Sequence, residues 1–511
     1  MRKGSITPFS AVSLILVASL VLALLETARV YGLDRYAEMK TNAAMDSVCA
    51  EYQPYLWSQY GLLFLDGAYG SEEFSMAYVM EQLEHYMGQS GMREDWLVNW
   101  LGIDLFRLKK EEVLLEGYAL AADDGGTLFL NYIAERAKEK LPFAIAEDLL
   151  AGYQRGTELE AEYEGMGTSV TKAQEAITQA KSEWIARKED ALEKKDGSGK
   201  DESEIEEIVQ QPDTSVLDHL FDSIQQLRSE NTLQMLVGSL ADESFASYRL
   251  NETMQMRQKP EGTMYLNMEK SWYQKMLVLT YLESYFSNYV NQKEEHLLCY
   301  EMEYVLCGKD TEAENLAATL DRMLLLREAA NAIHICADVK KMAEIEEIAS
   351  VAGALAGGNY AITKVVEIGI VGAWAYAESV LDVRALVHGE QIPLIKNESD
   401  WTLALSEILC VNDMAVRAKK CADGMSYTDY LKQLLFFTEN QKLAYRMMEA
   451  MELGMQSHEE YNACRMDYMI VMLRFNLKWN ALPVFSELAM VGEVYRGKYI
   501  FSKSIERSYV P

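Results

Sequence analysis

Proline is scarce, with 8 in 511 residues and none between Pro8 and Pro54. Because proline removes a backbone donor and breaks helices, its scarcity beside abundant Leu, Ala, Glu, Met and Lys points to a mainly helical fold. Basic residues are also few. The 48 Lys and Arg stand against 79 Asp and Glu, a net charge of −31. That balance disfavours nucleic-acid binding, which needs clustered cations to neutralise phosphates, and it suits a protein kept soluble outside a cell. The seven cysteines (Cys49, Cys299, Cys307, Cys336, Cys410, Cys421 and Cys464) are odd in number, scattered, and contain no C-x-x-C. Their spacing excludes a disulfide framework and a zinc site. Cys299 and Cys307 are near enough to bridge locally, but free buried thiols are the expected state.

Catalytic and cofactor motifs are missing too. None of the six histidines forms H-E-x-x-H, and His458-Glu459-Glu460 has no second histidine after it. Gly197-Ser198-Gly199-Lys200 has Lys194 where a phosphate loop needs its first glycine, and Asp201 where it needs Ser or Thr. There is no G-x-S-x-G elbow. The sequence therefore names no catalytic residue, no cofactor and no metal ligand. The 30 tyrosines and 8 tryptophans could line a carbohydrate groove, but the helical spacing of Tyr281, Tyr285 and Tyr289 is that of core residues.

One long uncharged run is present. Ile6 to Leu25 carries no charge, follows Arg2 and Lys3, and closes at Glu26. About 20 apolar residues span a bilayer core, so Ile6, Phe9, Val12, Leu14, Leu16, Leu20, Leu22 and Leu25 are expected to face lipid. Three fates are open to such a segment. A cleaved signal needs a small-residue site that Leu24-Leu25-Glu26-Thr27-Ala28-Arg29 does not supply. A prepilin-type cut after Gly4 expects an acid five residues on, where Phe9 stands. A retained signal anchor is the leading reading, with the short basic tail cytoplasmic and the bulk of the chain outside. Thr7 and Pro8 suit a helix start. Val30, Leu33, Ala37, Ala44 and Val48 extend the helical spacing beyond the membrane, with Gly32 the expected bend. Glu26 is expected to pair with Arg29 at the boundary.

Beyond the anchor (1–28), the sequence divides at 29–157, 158–238 and 239–511. In the first part, Tyr55 to Leu65 is a dense apolar cluster closed by an Asp66-Gly67 turn. Glu111 to Ala121 is β-compatible, and Asp123-Asp124-Gly125-Gly126 supplies a turn into Thr127-Leu128-Phe129-Leu130. A small α+β subdomain is expected, followed by a helix over Asn131–Gly152. Leu159, Tyr163, Val170, Ile177 and Trp184 then make a heptad seam, which resumes at Leu217, Leu220, Ile224 and Leu227 after a polar stretch. The pattern predicts a helical hairpin arm with a disordered tip at about 194–212, its seam either paired within the chain or offered to a partner. From Leu266 on, helices dominate. His296–Cys307 is a candidate strand, Asn315–Ile348 one helix and Thr428–Gln456 another. Val351–Val380 is apolar, but Lys364 and Glu367 in its middle make it a buried helix rather than a second span. The stretch Val494–Phe501 alternates like an edge strand. The fold class is mainly α with a minor β component (α+β).

Several strings resemble a family. Gly4-Ser5-Ile6-Thr7, the apolar helix and Glu26-x-x-Arg29 look like an uncharacterised membrane-anchored family of Gram-positive bacteria encoded beside tight-adherence (Tad or Flp) pilus genes. Further similar strings are Tyr60-Gly61-Leu62-Leu63, Tyr300–Lys309, Leu326–Ala329, Trp374–Ser379, Asp382-Val383-Arg384, Pro393–Lys396 and Tyr427–Leu443. The resemblance implies a context and no catalytic residue: a surface protein linked to pilus assembly. The leading functional expectation is a non-enzymatic component or accessory of such a pilus, with the lipid bilayer and pilus or secretion proteins as partners. An anchored scaffold or sensor binding through the helical arm is one alternative. A cell-wall-acting hydrolase is the other.

Overall fold

The computed structural model describes residues 6–89, 106–163, 168–195, 212–238, 248, 253–264, 271–294, 296–412, 417–421, 423–485 and 497–510. Most of the expected polar tip, 196–211, lies outside the described residues. The protein is mainly helical with one small antiparallel sheet, and the chain divides into two compact units.

The first unit comprises residues 1–136, 253–270 and 451–511. Its spine is α1 (Ile6–Cys49), 44 residues long, or about 66 Å at 1.5 Å per residue. The helix has two chemically different halves. Up to Leu25 most of the apolar side chains are exposed, with Ile15 and Leu22 half-buried. From Glu26 on, one face is buried at Glu26, Arg29, Leu33, Ala37, Thr41, Ala44, Met45 and Val48, the three-and-four spacing of a helix lying on a core. No break occurs at Gly32, contrary to the expected bend. A Cβ there would come within 2.8 Å of the Phe106 ring, so this glycine serves close approach.

The packed half of α1 lies against a sheet with β3 (Met469–Ala481) at its centre. β2 (Lys109–Leu120) pairs along one edge of β3, and β4 (Tyr499–Ser508) along the other, all antiparallel. The two-residue β1 (Leu65–Asp66) also pairs with β3. The edge strand expected over 494–501 overlaps β4 at Tyr499–Phe501, and residues 494–496 lie outside the described residues. Leu473, Phe475, Leu477 and Trp479 alternate into a core with Leu33, Ala37, Ala44 and α3 (Met76–Gln89). Trp479 donates its indole N–H to Thr41 Oγ1 at 2.9 Å, tying sheet to helix. The opposite face is polar, with Lys478–Glu112 at 2.8 Å and Ser504–Glu116 at 2.7 Å, as befits an antiparallel sheet with one wet face. α2 (Pro54–Tyr60) ends at left-handed Gly61.

The turn expected after β2 forms, but a helix and not a strand follows it. Asp124, Gly125 and Gly126 all have positive φ (49, 66 and 80°), and Thr127 onward is helical within α4 (Asp123–Ala137). The Asp123 carboxylate accepts the Leu120 and Gly262 N–H groups at 2.7 and 2.9 Å, which closes the strand. The helix expected over 131–152 is also split, because α4 stops at Ala137 and α5 (Phe143–Tyr163) starts after Pro142.

The second unit comprises 137–252 and 271–450. It contains α5, α6 (Ser169–Lys195), α7 (Ser215–Ser229), α8 (Thr232–Leu236), α9 (Trp272–Tyr285), α10 (Glu301–Cys307), α11 (Glu312–Ala337), α12 (Val339–Leu355), α13 (Tyr360–Val387), α14 (Tyr427–Phe436) and the part of α15 (Asn440–Gln456) up to Ala450. The centre is α13, buried almost without interruption from Val366 to Val387, so the apolar run is a core helix, as its internal charges imply. α6, α11 and α12 pack around it. Gly369 permits this closeness, since a Cβ there would collide with Ala173 of α6.

Three expected elements are corrected here. His296–Cys307 is not a strand: residues 301–307 form a helix capped by left-handed Gly308. The helix expected over 315–348 is broken at Asp338, whose carboxylate accepts the Lys340 and Lys341 N–H groups and starts α12. The helix expected over 428–456 is two, α14 and α15, interrupted at 437–439.

Candidate functional site

The seam residues are placed by α5 and α6, which are separate helices. Leu159 is buried on α5, and Val170, Ile177 and Trp184 are buried on α6. Tyr163 closes α5, and its side chain lies outside the described residues. α6 turns this seam to α13 more than to α7. Of the anchor residues, Phe9, Val12, Leu14, Leu16, Leu20 and Leu25 are exposed and Leu22 is half-buried. The Ile6 side chain lies outside the described residues.

Where the exposed apolar half of α1 ends, Arg29 Nη1 and Glu26 Oε1 pair at 2.9 Å, both side chains almost fully buried. Glu26 Oε2 also accepts the N–H groups of Val484 and Phe485 at 3.1 and 2.6 Å, and Arg29 donates to the Leu482 carbonyl at 3.0 Å. The boundary pair expected from sequence therefore does more than satisfy itself. It clips the chain after β3 to the helix where the apolar half ends.

The second unit holds a buried cluster of ionic groups, built from residues to which the sequence alone assigns no role. Arg327 on α11 is completely buried. Its Nε donates to Asp382 Oδ2 at 3.0 Å, and Nη1 donates to the carbonyls of Pro393 and Leu394 (2.9 and 2.7 Å) and to the Tyr430 hydroxyl (3.1 Å). Nη2 donates to Asn331 Oδ1 at 2.9 Å. Asn331 in turn donates to Ser379 Oγ and Asp382 Oδ2. Lys396 pairs with both carboxylates of α13, Glu378 and, at 2.5 Å, Asp382. Glu378 also accepts the Thr402 and Leu403 N–H groups at 3.0 and 2.9 Å. Two cations and two anions thus cancel inside the core, the condition under which buried charge is tolerable. Burial pushes the Glu378 carboxyl up despite Lys396, whereas at Asp382 the pull of Lys396 and Arg327 outweighs burial and holds it down.

Aromatic rings wall this cluster. The Trp374 and Trp401 indoles both donate to the Leu403 carbonyl, at 2.9 and 2.7 Å. His334 stacks on Trp401 with centroids 5.0 Å apart, and Lys341 lies 4.8 Å above the same ring. Burial, with Lys341 close by, lowers the His334 pKa and keeps the imidazole neutral.

A second buried group sits on α10. Ser287 N–H and His296 Nδ1 meet Glu301 Oε2 at 2.8 and 2.9 Å, and Glu312 accepts the Tyr300 N–H at 2.8 Å. Glu303 Oε1 accepts the Tyr289 N–H (2.9 Å) and the Tyr427 hydroxyl (2.7 Å), while Oε2 is buried with no hydrogen-bond partner among the described residues. Burial pushes Glu303 up to about 7. An unfolded glutamate titrates near 4.3, so between roughly pH 4.3 and 7 the folded state keeps a proton that the unfolded chain has released. Stability must therefore fall as pH rises through that window, by about 4 kcal/mol, and level off above it. Glu303→Gln is expected to flatten this slope and to raise the urea midpoint at pH 8. Parallel pH profiles of wild type and variant would dispose of the assignment.

Among the described residues, no group of three His, Cys, Asp or Glu side chains is placed to hold a metal ion. What the ionic cluster can do is fix α11, α13, α14 and the 392–403 segment in one arrangement. Sequence reasoning saw its parts only as family-like strings. Leu326–Ala329, Trp374–Ser379, Asp382–Arg384, Pro393–Lys396 and the start of Tyr427–Leu443 all converge on it. The available signal was charge inside an apolar run: Glu378, Asp382 and Arg384 on one buried helix.

Comparison with known proteins finds no match among curated proteins and none among solved structures. A family model described as a family of unknown function, DUF5702, matches residues 210–481. That match covers more than half of the chain and takes in the whole ionic cluster and β3; the protein belongs to this family of unknown function.

Proposed function

We propose that this protein is a membrane-anchored, surface-exposed, non-enzymatic component or accessory of a Tad/Flp-type pilus or adherence apparatus in a Gram-positive bacterium. One observation carries the reading. α1 is the one helix among the described residues long and apolar enough to cross a membrane, and it runs without a break from an exposed apolar half into a half that packs on the sheet. A rigid rod of that kind holds its cargo at a set height above a bilayer and offers a surface for lateral packing against similar helices. The family-like strings and the acidic surface accord with display outside the cell. Deleting the gene is expected to reduce piliation and adherence, seen by electron microscopy and a surface-binding assay. Unchanged pili and adherence would remove the proposal.

A scaffold role for the helical arm has one observation in its favour. With the apolar seam of α6 turned inward, its outer face is polar, and Thr171, Gln174, Thr178 and Ser182 line an open groove of about 540 Å³ with Gln225 of α7. Co-purification of a partner that survives substitution of these residues would count against it.

A further inference from the structure

The end of the first unit where α1 leaves it carries exposed apolar and cationic side chains together. The register places them. Lys503 of β4 pairs with Asp34 of α1 at 2.8 Å, and Arg507 with Asp46 at 2.7 Å, so strand and helix ascend side by side. Three residues back along β4 is about 10 Å, which equals about seven helical residues. Ile500 therefore stands level with Thr27, just past the last residue of the apolar run. Asn480 is the register partner of both Lys109 and Ile500, and Leu482 is clipped to Arg29 through its carbonyl. Leu482 and Ile500 are 55 and 61% exposed. Lys109 and Lys498 are exposed at the same strand ends.

We infer that this rim (Leu482, Ile500, Lys109 and Lys498) is a lipid-headgroup surface that seats the first unit on an anionic bilayer. The inference rests on the membrane-anchor reading. The occupant follows from continuity and charge. The rim continues directly from the apolar half of α1, whose hydrocarbon-length run ends at Leu25. A lipid headgroup layer begins at that depth. Cations gathered there, in a chain of net charge −31, oppose anionic headgroups, while exposed Leu and Ile enter the boundary between headgroups and acyl chains. The Glu26–Arg29 pair gives this seating stiffness, because the segment bearing Leu482 is bonded to the anchor itself.

The test uses the full chain in vesicles of phosphatidylcholine, with and without phosphatidylglycerol. A photoreactive phenylalanine analogue replaces Phe9, Leu482, Ile500 or Ser508 in separate proteins, and lipid adducts are counted after illumination. Ser508 lies at the far end of β4 and serves as the dry control. Adducts are expected at positions 9, 482 and 500 and not at 508. With phosphatidylglycerol present, Lys109→Glu combined with Lys498→Glu is expected to lower the yields at 482 and 500 by at least about fivefold per charge. Adducts at position 9 without any at 482 and 500 overturn the seating and leave the anchor standing. No adduct at position 9 overturns the anchor reading itself. Yields at 482 and 500 indifferent to charge reversal overturn the headgroup recognition.

Discussion

Lys396→Met is expected to destabilise the second unit by about 3–5 kcal/mol, the range found when one partner of a buried ion pair is removed. Lys396 has no solvent-exposed side-chain surface, nor do Glu378 and Asp382. Methionine matches the length of the lysine stem and creates little void, so the loss reports charge rather than cavity. Arg327 still pairs with Asp382, which leaves Glu378 as the orphan. Glu378 already has its pKa raised by burial, and without Lys396 it is held neutral more strongly. The variant should therefore lose further stability as pH rises above the range in which a free glutamate ionises, because its folded form retains a proton that the unfolded chain gives up. Adding Glu378→Gln removes the charge and keeps an acceptor for one of the Thr402 and Leu403 N–H groups, which bond to different oxygens of Glu378, so part of the loss should return. Urea midpoints for the two single variants and the double variant form the cycle that isolates the pair. A loss below about 1 kcal/mol for Lys396→Met, typical of an exposed pair, would mean that the cluster is solvated and does not hold the helices.

Leu16→Lys combined with Leu20→Lys is expected to release the protein from membranes. Each lysine near the centre of a span opposes insertion by about 3 kcal/mol, so two shift the balance by several orders of magnitude. Both positions lie in the exposed half of α1, 53 and 62% accessible. The core made by Leu33, Ala37, Ala44 and Val48 with the sheet is untouched, and the first unit should stay folded. Alkaline carbonate extraction followed by blotting reads the result: wild type in the pellet, the double variant in the supernatant. Tyr31→Lys, beyond the apolar run and 73% exposed, should remain in the pellet. Wild-type protein that washes off with carbonate would end the anchor reading and the rim with it.

Much of the local structure could be read directly. The long apolar helix, its continuation past Leu25, the Glu26–Arg29 pair and the buried character of Val366–Val380 all follow from spacing and charge along single helices. Short-range pattern misled where a few polar contacts outweighed it. Tyr304, Val305 and Leu306 have strand-like side chains, yet carboxylates at Glu301 and Glu303 take loop N–H groups and Gly308 supplies a left-handed cap, so α10 forms. Asp338 stops one helix and caps the next with a single carboxylate, a decision too local for hydrophobic periodicity to register. At Asp123, the partner that closes β2 is Gly262, 139 residues away in sequence.

The candidate cluster shows the same limit. Arg327, Glu378, Asp382 and Lys396 stand out in the sequence only as members of the family-like strings, and nothing in their spacing says that they meet. Likewise, 30 tyrosines gave no hint that the Tyr427 hydroxyl would lie against Glu303.

Taken alone, the chain determined its class and its lipid-length helix, because helical propensity, proline content and apolar run length act between near neighbours. Tertiary structure decided the rest. It joined strands from residues 65–120 and 469–508 into one sheet, turned the seam of α6 onto α13, and balanced two cations against two anions in a dry core. Those choices depend on which surfaces lose water together, and contact between residues hundreds of positions apart leaves no periodic trace in a single sequence.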